Sequence, residues 1–295
     1  MQRVEKEIAR LISECDYNEV TRLFDMLSSG KRLRAKLILK IAPNHEMAPL
    51  LAAIVELIHG ASLLHDDVID ESSIRRGMPS VNATDGSKTA VMLGDILYSK
   101  AFTELVLFDK DIASTIAASV TALSKGEMMD VKMAEEFNYD ETKYINMLYL
   151  KTATLIESAA KAAAILVNKD ADSHALYGKN LGLSFQIIDD ILDITADEAT
   201  LGKPCMNDFT EGKCTLPYIY LYEQLNENNK LKLLSLHAKD LSEESSSWIK
   251  QQMQEHKTVE KSFTLATKLS NEAMSVMKDD VELVNILQTM IKRSF

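Results

Sequence analysis

Residues 58–77 read IHGASLLHDDVIDESSIRRG, placing Asp66, Asp67 and Asp70 at the end of a run that is apolar on most faces from Met47 to Leu64. Leu51, Ile54, Val55 and Ile58 recur at spacings of three and four, the period of a helix rather than of a strand. Asp66 and Asp70, four apart, share a face of that helix. A second stretch, FQIIDDILD at 185–193, repeats the arrangement with Asp189, Asp190 and Asp193 inside the apolar segment Leu181 to Ile194.

A lone Asp-Asp-x-x-Asp is most often a solvated face paired with lysines, so the duplication in apolar surroundings carries the signal. Carboxylates in an apolar helix are costly unless something positive compensates them, and two facing clusters repel. Several divalent cations resolve both problems. Mg²⁺ typically takes one or two carboxylates and completes its shell with water and phosphate oxygens, so the expected ligand is a diphosphate.

Outside these motifs the chain also reads as helical, as at Leu148, Leu155, Ile156 and Ala159. Of its five prolines and ten glycines, Pro43, Gly77 with Pro79, Gly86, Gly202 with Pro204, and Gly212 with Pro217 fall between such stretches. The expected fold is all-α, a single-domain bundle of ten or more helices over residues 1–295 with a central cavity between the two Asp-rich helices. Met47 to Leu64, Ser158 to Val167 and Leu181 to Ile194 read as its central helices, and the part from Asn226 onward as an amphipathic outer layer.

A net charge of −11 argues against nucleic-acid binding. Cys15, Cys205 and Cys214 form no Cys-x-x-Cys pair, which fits reduced thiols in a cytoplasmic protein. The N-terminus lacks the pattern of a signal peptide, and no apolar run reads as long enough to span a bilayer.

Five landmarks in order carry a resemblance to the trans-isoprenyl diphosphate synthase family over nearly the whole chain: GKRLRAK at 30–36, residues 58–77, Lys151-Thr152, residues 185–193, and LGKP followed by EGKCTLP at 201–217. The resemblance implies an isoprenoid-synthase-type fold in which Asp66, Asp67, Asp70, Asp189, Asp190 and Asp193 hold two or three Mg²⁺ ions, with Mn²⁺ as a substitute. Asp66, Asp70 and Asp189 are the direct ligands it favours. Arg75, Lys151, Thr152, Gln186 and Lys203 match contacts to the allylic diphosphate, with Lys213 farther out. Lys31, Arg34, His59 and Arg76 match the pocket for isopentenyl diphosphate. Read alone, Arg75 and Arg76 would be a helix-end charge pair and His59 a satisfied core histidine.

The implied reaction is ionisation of the allylic diphosphate, attack by isopentenyl diphosphate and loss of a proton, with Lys151, Lys203 and the aspartates Asp66, Asp67, Asp70, Asp189 and Asp190 as the catalytic set. Ala61, Ser62 and Ile58 lie on the turns before Asp66. None is aromatic, so the resemblance implies a long product of the octaprenyl class, of the kind used as a quinone side chain. The rivals are a short-chain synthase, a class I terpene cyclase, which needs one diphosphate pocket, and a non-catalytic subunit. Residues 90–102, AVMLGDILYSKAF, resemble the family's homodimer segment, although their apolar face is equally compatible with internal core. Two positions depart from the family pattern: Ala35 stands where proline is usual, and Asp130 in GEMMDV where glutamine is expected in long-chain relatives.

Overall fold

Twenty-two residues, Ala48–Ile69, form a helix in which every position from Ala48 to Ile58 is buried; even Glu56 is only 6% exposed. Pro49 lies in its first turn, where a missing N–H costs nothing. The computed structural model describes residues 1–27, 30–195 and 205–291 of the chain. Contrary to the expectation from sequence, this helix is long and apolar enough to cross a membrane by length and composition. Its burial marks it as a core helix, because a lipid-facing helix would leave that apolar surface uncovered.

The chain divides into two compact units, Met1–Thr121 with Leu155–Gly178, and Ala122–Thr154 with Lys179–Phe295. In the first, α1 (Gln2–Ser13), α2 (Asn18–Met26) and α3 (Leu33–Ile41) precede the long α4 (Ala48–Ile69). A hairpin of β1 (Ile74–Arg75) and β2 (Met78–Pro79), then α5 (Val81–Asp85) and α6 (Ser87–Leu105), follow. α1, α3 and α6 all pack on α4. Arg76 and Gly77, at φ 53° and 78°, form the two-residue turn of the hairpin, where positive φ at both positions matches the strand twist.

α7 (Lys110–Ala134) runs from the first unit into the second, where α8 (Glu141–Leu148) starts on Asp140, whose side chain accepts the Lys143 N–H at 3.0 Å. A π-helical turn, Tyr149–Ala153, then carries Lys151 and Thr152 and leads into α9 (Thr154–Leu166). Single π turns of this kind often sit at functional sites because they re-aim side chains. α10 (Ala171–Thr195) carries the second aspartate motif.

The second unit is completed by α11 (Asn207–Thr210), α12 (Leu216–Gln224), α13 (Glu227–Leu236), α14 (Glu243–Glu255), α15 (Thr258–Val276) and α16 (Val281–Ile291). Phe209 stacks on Tyr218 with ring centroids 4.3 Å apart, inside a core of Ile194, Leu221, Leu233, Ile249 and Met253. α13 buries only Leu233 and α14 only three residues, which is the amphipathic pattern expected of the C-terminal part. Among the described residues helices number more than ten, so the all-α expectation holds.

Truncating Leu57, fully buried on α4, to alanine should cost about 2–5 kcal/mol in urea denaturation. Leu231→Ala, at a residue 66% exposed on α13, should stay within about 0.5 kcal/mol. Equal losses would mean that α4 is not the helix its unit is built on.

Candidate active site

The helical period sorts the first aspartates by face. Asp67 is buried and Asp70 exposed, with Asp66 between those extremes. Asp67 turns onto Arg75, whose Nε and Nη2 both reach its Oδ1 at 2.6 Å. The backbone carbonyl of Asp67 accepts Asn82 Nδ2 at 3.1 Å and the Ser72 N–H at 2.9 Å, which ties the hairpin to the end of α4. Asp67 thus orients the arginine hairpin, while Asp66 and Asp70 occupy the more accessible side.

Cations gather in the same unit. Gly30 lies so close to Arg76 that a Cβ there would sit 2.5 Å from the guanidinium. Arg34 is half-buried, and its Nε is buried without a hydrogen-bond partner. Burial pushes Arg34 down to about 10, with Arg76 also lowering it and Glu56 opposing. Burial, then Arg34, Arg76, Arg75 and Arg32, hold His59 well below the usual imidazole range, so it is neutral. Lys31 is exposed at the edge. An unpartnered buried donor among four arginines and a neutral imidazole fits an anion with several oxygens.

The residues before Asp66 divide in the same way. Ala61 and Ile58 are fully buried, whereas Ser62 is partly exposed and donates its hydroxyl to the His59 carbonyl at 2.9 Å. Ser62, one turn before Asp66, is therefore the small residue on the accessible flank.

In the second unit a cavity of about 160 Å³ is lined by Asp130, Tyr144, Lys151, Thr152, Gln186, Asp190, Asp208 and Lys213. Lys151 Nζ lies 2.5 Å from Asp130 Oδ2 and 2.9 Å from Glu127 Oε2. Burial works against the Lys151 ammonium, but Asp130 and Glu127 outweigh it and raise its pKa, so the charge is kept. This gives Asp130 a role that its departure from the family pattern left open: it anchors Lys151. Gly126 makes this possible, because any Cβ there would collide with the Lys151 backbone.

Asp190 points inward. It accepts the Tyr144 hydroxyl, and Gln186 Nε2 at 3.0 Å, while Thr152 Oγ1 donates to Gln186 Oε1 at 3.2 Å. Burial first, then the charge of Asp208, raises the Asp190 pKa well above the carboxylate range. Asp193 is buried too, and its Oδ2 accepts the Asp208 N–H at 3.2 Å while its carbonyl accepts the Met206 N–H at 2.8 Å. Asp189 alone of that motif is exposed. Lys203 lies outside the described residues.

Asp208, Tyr144 and Glu127 escaped the sequence reading. Asp208 sits outside any repeated spacing, Tyr144 looks like an ordinary core aromatic, and Glu127 is distinguished only by its place one turn from Asp130. Among the described residues no three His, Cys, Asp or Glu side chains converge on one point. The donor set nevertheless fits a hard divalent cation of the Mg²⁺ kind, which takes few carboxylates and shares the rest of its shell with water and phosphate.

An all-helical chain with a duplicated aspartate array, one buried cationic cluster and one lysine-bearing polar cavity has the parts of a prenyltransferase. The chain belongs to the polyprenyl synthetase family, the trans-isoprenyl diphosphate synthases, whose family model matches residues 18–256. It is 34% identical over 249 residues to the short chain isoprenyl diphosphate synthase of Methanothermobacter thermautotrophicus, covering 80% of this chain and 77% of that protein. The octaprenyl pyrophosphate synthase of Helicobacter pylori is 42% identical, with a TM-score of 0.94 over 98% of this chain and 97% of that one. The polyprenyl synthase of Caulobacter crescentus, solved with calcium and isoprenyl diphosphate, is 26% identical, with a TM-score of 0.81 over 98% of each chain.

The neutral state of His59 has a pH consequence. Above about pH 6.5 the imidazole is neutral folded or unfolded; below it the unfolded chain takes up a proton that the folded one refuses. Stability should therefore fall as pH drops from 7 to 5, and fall less in His59→Asn, in urea midpoints measured across that range. Identical slopes in both proteins would show that the arginines do not hold the ring neutral.

Proposed function

We propose that this chain is an all-trans polyprenyl diphosphate synthase, adding isopentenyl diphosphate repeatedly to farnesyl or geranylgeranyl diphosphate up to octaprenyl length. The observation that carries the reading is the cationic cluster of Lys31, Arg34, His59 and Arg76 with its unpartnered Arg34 Nε, distinct from the cavity at Lys151. A cyclase, which ionises one diphosphate, has no use for it. Each of the two units carries one aspartate motif, which supports their belonging to one catalytic domain.

In this reading Asp66, Asp70 and Asp189 hold the metal, Asp67 orients Arg75, and Asp190 and Asp193 position Gln186 and Asp208. Mg²⁺, when bound, supplies Lewis-acid assistance to the departing diphosphate. Arg75, Lys151, Thr152, Gln186 and Lys203 bind that diphosphate as its carbon–oxygen bond breaks and its negative charge grows. Lys31, Arg34, His59 and Arg76 hold isopentenyl diphosphate, whose double bond closes the new carbon–carbon bond. A proton then leaves to the departed diphosphate, giving an allylic diphosphate one unit longer. The calcium and isoprenyl diphosphate bound by the Caulobacter crescentus relative support both the metal and the substrate class.

The product length rests on the identity with an octaprenyl pyrophosphate synthase and on the absence of an aromatic side chain at Ser62. The relative named as a short chain synthase makes a shorter product the competing outcome. A cytoplasmic enzyme supplying a quinone side chain fits such a product. We also infer a homodimer through α6, where Met92 is 55% and Phe102 37% exposed. Light scattering on the eluted protein should give twice the chain mass, and a monomer would remove that inference.

Purified protein with Mg²⁺, labelled isopentenyl diphosphate and farnesyl diphosphate should yield long polyprenols after dephosphorylation, and none in Asp66→Ala or Asp189→Ala. Ser62→Phe should shorten the product. Ala61→Phe should instead cost stability, about 1–3 kcal/mol, because Ala61 is fully packed. Wild-type product stopping at geranylgeranyl length would refute the long-chain reading while keeping the enzyme class.

A further inference from the structure

Glu56 is the one carboxylate buried in the middle of α4, and nothing in the reaction uses it. It lies three residues before His59, on a helix otherwise apolar at that level. Its Oε1 accepts the backbone N–H of Ala35 at 3.0 Å, and its Oε2 accepts Arg32 Nη1 at 3.2 Å. Arg32 starts α3 at φ 52°, a left-handed conformation that a side chain with a Cβ adopts only when its surroundings hold it. Glu5 takes the other edge of the same guanidinium, Nε at 3.1 Å and Nη2 at 3.3 Å. Arg34 lies in the chain between Arg32, whose side chain Glu56 holds, and Ala35, whose backbone N–H it holds.

A single buried carboxylate so placed does two things. It pins the turn from Arg32 to Ala35, and it puts a negative charge beneath a cluster of cations and one neutral imidazole. Ala35 matters here: a proline at this position has no N–H to donate, so the chain's departure from the family pattern creates one of the two anchors.

We propose that Glu56 is a positioning residue for the isopentenyl diphosphate pocket, holding Arg32 and the Ala35 backbone so that Arg34 faces the incoming diphosphate. This rests on the reading of Lys31, Arg34, His59 and Arg76 as that pocket. Gln at position 56 would keep an acceptor for one partner but lose the charge and set an amide N–H against the other. The effect should fall on isopentenyl diphosphate, because both hydrogen-bond partners of Glu56, Arg32 and the Ala35 N–H, lie on the turn that carries Lys31 and Arg34.

The test is steady-state kinetics with isopentenyl diphosphate and farnesyl diphosphate varied in turn, for wild type, Glu56→Gln and Arg34→Gln. Glu56→Gln should raise the KM for isopentenyl diphosphate at least tenfold and leave the KM for farnesyl diphosphate within twofold. An unchanged KM for isopentenyl diphosphate, or an equal rise for both substrates, overturns the inference. Arg34→Gln separates the two levels: if it too leaves the isopentenyl KM unchanged, the pocket assignment itself has failed. Should Glu56→Gln not fold, Glu56→Asp keeps the charge but is too short to span both partners. It must show the same split between the substrates, and no split there also overturns the proposal.

Discussion

A charged side chain on an apolar helix must find its compensation inside the protein, and the structure is organised around that requirement. α4 and α10 are largely buried apolar helices, yet each carries charges at buried positions. An isolated buried carboxylate is costly enough that it becomes protonated or acquires donors. Glu56 acquires Arg32 and a backbone N–H, Asp67 acquires Arg75, Asp190 acquires Tyr144 and Gln186, and Asp193 acquires a backbone N–H at Asp208. Each of these pairings fixes a segment that carries other site residues.

This explains why three aspartates at the same spacing behave differently. One turn of helix separates the first and last members, so they can share a face, but the middle member points about a hundred degrees away. In α4 the middle aspartate goes inward and the outer pair stays accessible. In α10 the first is exposed and both others go inward, because α10 is enclosed on more of its circumference at that level. The motif therefore names six candidates, and burial sorts them into three that face outward and three that hold neighbours in place.

Much of this was legible in the sequence because periodicity and duplication are local. The helical spacing from Leu51 to Ile58, the repeat of the Asp pattern, and the glycine and proline breaks all report on neighbours a turn or two away. What escaped were pairings set by tertiary approach. Glu56 looks like a stray polar residue in a core helix, and only the contact with α3 reveals its partners. Tyr144 and Asp208 are unmarked by spacing, and the π turn at Lys151 lies against Gly126 in an approach that no propensity encodes. The central place of α4 was legible too, but its apolar length was underestimated, since a core helix and a membrane span draw on the same composition.

Ala35 and Asp130 show how departures from a pattern become interpretable. In sequence each was a missing expected residue. In the structure each is one end of a specific bond: Ala35 donates a backbone N–H to Glu56, and Asp130 sits 2.5 Å from Lys151. The two cationic sites are consequently tuned in opposite ways. Around Arg34 the cations outnumber the buried carboxylate, leaving a donor unpartnered and the local potential positive. At Lys151 two carboxylates meet one ammonium, so that site keeps a net negative charge until something with its own positive charge enters. An anion can bind the first directly, whereas the second favours an anion that arrives together with divalent cations, which is the asymmetry that two similar diphosphates require if they are to be told apart.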